Sequence, residues 1–382
     1  MLNTIKTIFS NFISDEKFSE ILKGSAWSLG TRVLATGITF LSTMIIARFY
    51  GADMLGILAI VQSFFVITTI FTLIGTHNSI LRLIPEHLAK HSPSSAFRVY
   101  RKTQLLVAAL SLFSGGALFF LSNPLAEKVF SKPHLCFYFA LASFFVLFYS
   151  IMTLNTQAVR GLRLIRTFAM MQTLPAVSKF VVLILLTVVL YQPHNPAYAL
   201  FASYLITALA GVVIMNSAFK KRMQPTDSIS FVSVKGILSI SVPMFLTSTM
   251  TFIIGQTGVI LLGIFHNESE VGYYDIAVKM ATLTFFILNS INSMAAPKFS
   301  ELYHKGKIED LFYIAKKSSR LIFWTTVPVL LLLILCGNYI LQLLYGEDFI
   351  KSYIPMVILI VGNFVSSISG STSNFMNMTG NH

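Results

Sequence analysis

The chain has 382 residues, of which 55% are hydrophobic and 11% charged, and its formal net charge is +13. This composition excludes a water-soluble globular domain, which needs more polar surface, and indicates an integral membrane protein. The positive charge does not indicate nucleic-acid binding, because the basic residues lie in short loops between apolar segments. No nucleic-acid partner is therefore expected.

The N-terminal segment predicts a helix that lies in the membrane interface. Apolar residues recur at helical spacing from Ile5 to Leu22, and acidic residues and a lysine interrupt them. This pattern is typical of an amphipathic helix whose apolar face enters the lipid headgroup region. We predict this helix at residues 1–24, ahead of a six-helix lobe at residues 25–222.

Ten apolar runs predict an all-α integral membrane protein with about ten transmembrane helices. At about 1.5 Å per residue, most of the runs are long enough to cross a hydrocarbon core of about 30 Å. The runs lie at 25–47, 57–83, 104–122, 135–154, 174–191, 197–215, 236–265, 273–296, 321–336 and 355–378. The polar segment 223–235 is predicted to be a cytoplasmic linker to a second lobe at 236–382.

The two lobes have the pattern of one repeated unit, with a constant offset between corresponding positions. Arg48-Phe49 and Leu55-Gly56 correspond to Ile264-Phe265 and Val271-Gly272. With this offset, counterparts of the fifth and sixth runs would begin just past His382, so we expect the second lobe to lack its last two helices. The chain would then be a truncated fragment with little or no activity. The alternative is a natural ten-helix protein whose bundle is closed by dimerisation.

The distribution of basic residues predicts a cytoplasmic N-terminus. With this orientation, most of the 28 lysines and arginines face the cytoplasm, where they can contact the headgroups of membrane lipids. The outside loops hold only Arg48, Lys128, Lys132 and Lys351. Such an asymmetry is the signal that orients bacterial membrane proteins.

Three cations lie inside apolar runs, namely Arg32, Lys179 and Lys279. A cation in hydrocarbon costs at least about 2.5 to 3.5 kcal/mol, so each must reach the interface, pair with an acid or line a polar cavity. Lys179 lies near the start of its run and is expected to extend its amine to the interface. Lys279 follows Asp275 by four residues, which fits a helical ion pair and a substrate contact equally well. Arg32 has no acid three or four residues away, which favours a cavity.

A weaker set of cavity candidates consists of polar residues within the runs. Either a wet interior or hydrogen bonding between helices explains them, and a role of His77 as a proton carrier is a weak hypothesis. The set comprises Gln62, His77, Asn78, Gln256, Asn289 and Asn292, together with Lys179. The two cysteines, Cys136 and Cys336, do not have the spacing of metal ligands, so no metal or cofactor is expected.

Five stretches carry a family resemblance, and they are GSAWSLGTRVL, MIIARFYGADMLGILAIVQSF, VPMFLTSTMTFIIGQTGVILLGIF, EVGYYDIAVKM and NFMNMTGNH. In them the chain resembles bacterial oligosaccharide flippases, of the O-antigen and exopolysaccharide type, in the multidrug/oligosaccharidyl-lipid/polysaccharide exporter superfamily. The resemblance implies two six-helix lobes about a pseudo-two-fold axis, with a central cavity lined by the first, second, seventh and eighth helices. Arg32, Arg48, Asp275 and Lys279 fall on or beside those helices and are the candidate substrate-binding residues. No catalytic residue is expected.

The preferred function is that of a transporter for an undecaprenyl-pyrophosphate-linked oligosaccharide. It would move this lipid from the cytoplasmic to the periplasmic leaflet by alternating access, for the synthesis of O-antigen, capsule or exopolysaccharide. The reason is charge, because a pyrophosphate needs cationic partners and the deepest charges in the chain are cationic. The location would be the bacterial cytoplasmic (inner) membrane, and the partners would include a polysaccharide polymerase and other assembly proteins.

Two other functions are weighed against this one. A multidrug or cation exporter of the same superfamily needs buried carboxylates, and Asp275 is the single candidate. A membrane glycosyltransferase or polymerase needs acid, base or metal-binding residues gathered in a large extramembrane segment, and the loops here are short and basic. Enzymatic activity is therefore not expected. The sequence leaves open the sugar repeat, the coupling ion and the oligomeric state.

Overall fold

The computed structural model describes residues 16–223, 233–304 and 306–369, together with Met376. Within these residues the regular elements are all helices, as the sequence predicts. The helices are α1 (Glu16–Leu73), α2 (Thr76–Lys90), α3 (Pro93–Pro124), α4 (Leu135–Gly161), α5 (Ile165–Val189), α6 (Asn195–Lys220), α7 (Val234–Phe265), α8 (Glu268–His304), α9 (Ile308–Tyr345) and α10 (Tyr353–Ser369). A π-helical turn, Leu125–Val129, extends α3, and a 3₁₀ turn, Glu347–Ser352, precedes α10.

Seven helical stretches among the described residues are long and apolar enough to cross a membrane. They are Gly30–Leu73, Pro93–Val129, Leu135–Gly161, Ile165–Val189, Asn195–Lys220, Ile308–Tyr345 and Glu347–Val365. Large apolar side chains on them are exposed, as lipid-facing positions should be; Phe120, for example, is 81% exposed. The protein is therefore a multi-pass helical membrane protein. Ten spans and a cytoplasmic N-terminus remain predictions.

α1 consists of two helical pieces that meet at Gly51. This residue has φ 80° and ψ 179°, which is a conformation that glycine adopts at little cost. The first predicted span ends before this kink, and the second begins after it. Residues 1–15 of the predicted interfacial helix lie outside the described residues, and from Glu16 the helix continues into the first span without interruption. Most of the predicted linker 223–235 also lies outside the described residues.

The second predicted span, 57–83, is wrong as a single helix, because it is interrupted between α1 and α2. Ile74 and Gly75 have φ values of 40° and 73°, and this left-handed pair ends α1. A Cβ atom on Gly75 would overlap the carbonyl oxygen of Ser241 and would lie 2.8 Å from the amide nitrogen of Phe245. Glycine therefore allows the interruption to pack directly on the backbone of α7.

The helix bounds repeat with the offset that the sequence predicts. α3 and its π turn together cover Pro93–Val129, and α9 covers Ile308–Tyr345, which is the same stretch one repeat later to within a residue. α8 begins at Glu268, which is the counterpart of Ala52 at the start of the second piece of α1. The described helices are thus arranged along the chain as two copies of one unit.

The starts of these two equivalent helices touch through a pair of glycines. A Cβ atom on Gly56 would overlap the carbonyl oxygen of Glu268, and a Cβ atom on Gly272 would overlap the carbonyl oxygen of Ala52. Gly56 and Gly272 are repeat counterparts, and so are Ala52 and Glu268. Replacing each residue by its counterpart therefore turns one contact into the other. The absence of a side chain at both glycines is what allows the two backbones to approach so closely.

A hydrogen bond between repeat counterparts lies beside this glycine contact. The hydroxyl group of Ser269 donates to the carboxylate of Asp53, and the two residues are separated by 216 positions, which is one repeat. A residue touches its own counterpart only where a two-fold axis passes between them. These contacts are those that a pseudo-two-fold relation between the two helix starts would make.

The described chain packs as two compact units. The first unit is Met1–Ile45 with Ile57–Phe265, and the second unit is Ile46–Gly56 with His266–His382. In the first unit, α6 packs against α4 and α5, and α4 packs against α3; in the second unit, α8, α9 and α10 pack against one another. These units are defined by packing, whereas the predicted lobes are defined by the sequence repeat. α7, which belongs to the predicted second lobe, therefore falls in the first unit. The lobe boundaries remain a prediction.

We expect Gly272→Ala to destabilise the protein. Its methyl group would overlap the carbonyl oxygen of Ala52, and overpacking of this kind typically costs about 1–3 kcal/mol. The matched control is Gly255→Ala on α7, where a Cβ atom would meet nothing within 4 Å. The thermal unfolding midpoints of the detergent-purified variants measure the difference. Equal midpoints for the two variants would contradict the close contact.

Candidate functional site

Arg48 caps the C-terminal end of α9 in the second unit. Its Nε donates to the carbonyl oxygen of Leu344 at 3.0 Å, and its Nη2 donates to the carbonyl oxygen of Leu343. The last carbonyl groups of a helix have no donor within the helix, and a cation there also interacts favourably with the helix dipole. The sequence predicts Arg48 as a substrate contact, whereas in the structure its guanidinium group binds the protein backbone.

Lys279 and Asp275 form an ion pair on one face of α8. The Nζ of Lys279 lies 2.5 Å from the Oδ2 of Asp275, and the side chains are 31% and 18% exposed, respectively. The spacing of four residues brings the two side chains together on the helix surface. The ion pair that the sequence left open is therefore present, and it neutralises the charge of Asp275.

Tyr345 is a residue of this site that the sequence analysis missed. Its side chain is 2% exposed, and its hydroxyl group has no hydrogen-bond partner among the described residues. Tyr345 ends α9, directly after the two carbonyl groups that Arg48 holds. The signal in the sequence was a hydroxyl-bearing residue at the end of a long apolar run.

Arg48, Asp275, Lys279 and Tyr345 together form what we call the α9-end cluster. It contains two cations and one carboxylate, so its charge is positive overall. Three of the four strongest candidates of the sequence analysis lie in the second unit. Their repeat counterparts are uncharged. Arg48 corresponds to Ile264 in the second half of the chain, and Asp275, Lys279 and Tyr345 correspond to Ala59, Ser63 and Val129 in the first half. The cluster is therefore an asymmetric addition to a repeated scaffold.

Arg32, the fourth strong candidate, lies in the first unit. Its side chain is exposed, and among the described residues no carboxylate pairs with it. It belongs to the apolar stretch Gly30–Leu73 of α1. A guanidinium group that is exposed in such a stretch needs polar surroundings, because contact with hydrocarbon is costly.

The weaker candidates have different environments in the first unit. The Oε1 of Gln256 accepts a hydrogen bond from the hydroxyl group of Ser63 at 2.7 Å, which links α7 to α1. Gln62 is exposed, whereas His77 and Asn78 are half-buried. The Nδ1 atom of His77 is buried and has no hydrogen-bond partner among the described residues. For Gln256, hydrogen bonding between helices is thus the explanation that the structure supports.

Lys179 lies deeper in its helix than the sequence predicts. α5 begins at Ile165, so Lys179 lies fourteen residues, or about 21 Å, from the start of the helix. The prediction that it sits close to a helix end is wrong, because the polar cluster before the apolar run is itself helical. The side chain is half-buried. The side chains of Asn289 and Asn292 lie outside the described part of the structure.

Two hydroxyl pairs also link helices of the first unit, and the sequence analysis did not single them out. The hydroxyl groups of Thr72 and Ser150 lie 2.6 Å apart, and so do those of Ser79 and Ser241. They flank the interruption at Gly75 and connect it to α4 and α7. Small hydroxyl residues are typical of close helix contacts in membranes, and this composition is the signal that could have identified them.

Charges outside the spans form an ordinary solvated network. At the end of α2, the Nζ of Lys90 donates to the carboxylate of Glu86 at 2.8 Å, and Arg82 lies on its other side at 3.8 Å. The hydrogen bond from Lys90 lowers the pKa of Glu86. Exposed pairs of this kind contribute little to stability, so this cluster is not a candidate site.

The fold resembles those of solved transporters, among them one of the multidrug/oligosaccharidyl-lipid/polysaccharide (MOP) superfamily. The lipid II flippase MurJ, in an inward closed conformation, matches 92% of this chain and 75% of its own, with a TM-score of 0.69 and 13% identity. An inward-facing MATE multidrug resistance transporter of the MOP superfamily matches 91% of this chain and 81% of its own, with a TM-score of 0.67 and 16% identity. At these identities the likeness shows the fold.

The family follows from the sequence match. A family model described as "Polysaccharide biosynthesis protein" matches residues 45–354, and the chain belongs to this family. Stage V sporulation protein B of Bacillus subtilis is 20% identical over 363 residues, covering 88% of this chain and 70% of its own. The probable low-salt glycan biosynthesis flippase Agl15 of Haloferax volcanii is 20% identical over 162 residues, covering 42% of this chain and 33% of its own. These findings confirm the predicted resemblance, and they identify a membrane transporter rather than an enzyme.

We expect Arg48→Ala to lower the stability of the protein by about 1 kcal/mol, because two carbonyl groups at the end of α9 lose their donor. Arg48→Lys should recover only part of this loss, since an ammonium group cannot reproduce the fork of a guanidinium group. Lys128→Ala, which removes an exposed cation from the π turn, is the control. Thermal unfolding in detergent is the measurement, and an unchanged midpoint for Arg48→Ala would argue against the cap.

Proposed function

We propose that the protein flips an undecaprenyl-pyrophosphate-linked oligosaccharide from the cytoplasmic to the periplasmic leaflet of a bacterial cytoplasmic membrane. The observation that carries this proposal is the state of two charged candidates from the sequence analysis. Arg32 is exposed without a paired carboxylate, whereas Asp275 is neutralised by Lys279. The groups available to a cargo are therefore cationic, and a pyrophosphate is the part of the lipid that needs cations.

The interrupted helix supports transport by alternating access. In transporters, helices that are broken inside the membrane mark the substrate pathway, because the broken ends leave backbone groups free to face a polar cavity. The interruption at Ile74 and Gly75 directly follows the apolar stretch Gly30–Leu73, and half-buried polar residues adjoin it. His77 and Asn78 follow the interruption directly.

The relatives support the chemical class of the cargo. MurJ is named as a flippase for lipid II, and Agl15 is named as a probable flippase of glycan biosynthesis. A role in surface polysaccharide synthesis also fits the family to which this chain belongs. In this role the protein would deliver its cargo to a polysaccharide polymerase and other assembly proteins.

A multidrug exporter is the second candidate, because a MATE transporter has a similar fold. A cationic drug needs a free carboxylate in a partly buried site, and Asp275, which is 18% exposed, is the acid that the sequence analysis singled out. Its ion pair with Lys279 leaves no free negative charge. We therefore expect that cells expressing the protein do not expel a cationic dye such as ethidium faster than vector controls. Faster efflux that depends on Asp275 would favour the drug exporter.

We expect Arg32→Ala to abolish flipping, and Arg32→Lys to retain part of it, because the pyrophosphate needs positive charge more than a particular fork geometry. The assays are rescue of surface polysaccharide in a deletion strain and flipping of the purified lipid in proteoliposomes. The control is Arg98→Ala, which removes an exposed arginine near the start of α3. Full activity of Arg32→Ala at normal membrane abundance would remove the charge argument.

A further inference from the structure

Two histidines lie one helical turn apart at the C-terminal end of α2. The backbone amide of His91 donates to the carbonyl oxygen of His87 at 3.0 Å, which continues the helical pattern to the residue that ends α2. Side chains four residues apart in this pattern lie on the same face of the helix. The centroids of the two imidazole rings are 5.4 Å apart. Two histidines at this spacing on one helix face are typical of a pair that binds a metal ion.

The separation of the two rings fits a single shared ion. Bonds of about 2.1 Å from a tetrahedral zinc ion to two imidazole nitrogens would place the ring centroids about 5 Å apart. The ring planes are inclined to each other by 47°, so the rings are not stacked face to face. The observed arrangement is therefore close to the one that a shared ion requires.

A hydrogen bond determines which nitrogen of His87 can bind the ion. The Nδ1 of His87 lies 2.9 Å from the carbonyl oxygen of Leu83. Because a carbonyl oxygen can only accept, Nδ1 carries the hydrogen atom, and in the neutral ring Nε2 has the free lone pair. Histidines that bind metal ions commonly donate their other ring N–H to a backbone carbonyl group or a carboxylate in this way. The tautomer of a metal ligand is thus already set.

The buried face of α2 leads directly to this pair. Ile80 and Ile84 are fully buried in the hydrophobic core that α2 forms with α3 and α4. His87 and His91 follow at the next positions of the same series of three- and four-residue steps. The packing leaves His87 half-buried. A group that is partly immobilised in advance loses less entropy when it binds a ligand.

The pair is open to solvent, and the adjacent carboxylate is engaged elsewhere. His91 is exposed, so an ion can reach the rings from water. The carboxylate of Glu86 is bound by the Nζ of Lys90 at 2.8 Å. Among the described residues no group of three or more histidine, cysteine or acidic side chains has the geometry to hold a metal ion. The protein therefore supplies two ligands here, and water would fill the remaining positions.

We propose that His87 and His91 bind a divalent transition-metal ion of the class of Zn²⁺ and Cu²⁺. Imidazole is a preferred ligand of these ions, whereas Mg²⁺ and Ca²⁺ prefer oxygen ligands. His91 and Ser92 are the two residues that connect α2 to α3, so the bound ion ties the last turn of α2 to this connection. Neither histidine is a candidate for cargo binding, and the inference does not depend on the proposed function.

Titration of zinc chloride into the full chain tests the proposal. The protein is purified in detergent without a polyhistidine tag and titrated calorimetrically in slightly alkaline buffer, where imidazole is deprotonated. Loss of an outer-sphere partner weakens metal binding about 10–100-fold, and we expect His91→Ala, which removes a ligand, to weaken it at least as much. Zinc should also raise the thermal unfolding midpoint of the wild type more than that of His91→Ala.

Two double variants with the wild-type number of histidines isolate the spacing. Ala89 and Lys90 are both exposed, so either position accepts a histidine in the His91→Ala background. Lys90→His places the second ring three residues from His87 on the same face, and we expect it to restore most of the zinc affinity. Ala89→His places the ring two residues away, where the two side chains do not face each other, and we expect no recovery.

The choice of ion is a further check on the ligand type. We expect Cu²⁺ to bind the wild type more tightly than Zn²⁺, and Mg²⁺ not to compete with zinc at equal concentration. Three results would each overturn the inference: no zinc binding by the wild type, wild-type affinity in His91→Ala, or equal zinc affinities in the two double variants.

Discussion

The close backbone contact between two helix starts, one from each repeat, is the constraint on which the second unit depends. Gly56 lies against the carbonyl group of Glu268, and Gly272 lies against the carbonyl group of Ala52. Any larger residue at either glycine would force the two helices apart. Because Arg48 also holds the end of α9, the short segment Ile46–Gly56 packs with the second unit. The residues before and after it along α1 pack with the first unit.

The two cations of the α9-end cluster are bound in different ways, and the chemistry of their side chains explains the difference. Arg48 uses a planar, forked donor to hold two backbone carbonyl groups at once, which suits a permanent structural contact. Lys279 uses a compact point charge on a flexible stem to hold one carboxylate oxygen. A charged side chain inside a membrane protein needs a partner of one of these two kinds, a backbone carbonyl group or an oppositely charged side chain.

The candidate functional groups of this protein are departures from the repeat. The repeat supplies equivalent helices of nearly equal length and the contact between their starts. The interruption at Gly75 occurs in the first repeat only, since Ser290 and Ile291 replace the left-handed pair and α8 continues to His304. The ion pair of Asp275 occurs in the second repeat only. A repeated scaffold thus carries groups that its other copy lacks.

The sequence alone determined the membrane class, the offset of the repeat and the possibility of the pair at Asp275, because composition, periodicity and spacing along one helix are local properties. Only the tertiary structure decided the role of Arg48, whose acceptors lie almost 300 residues further along the chain. The same holds for the burial of Tyr345 and the left-handed conformation of Ile74. A β-branched residue adopts that conformation only when surrounding packing enforces it, and no local pattern in the sequence records the packing of a distant helix.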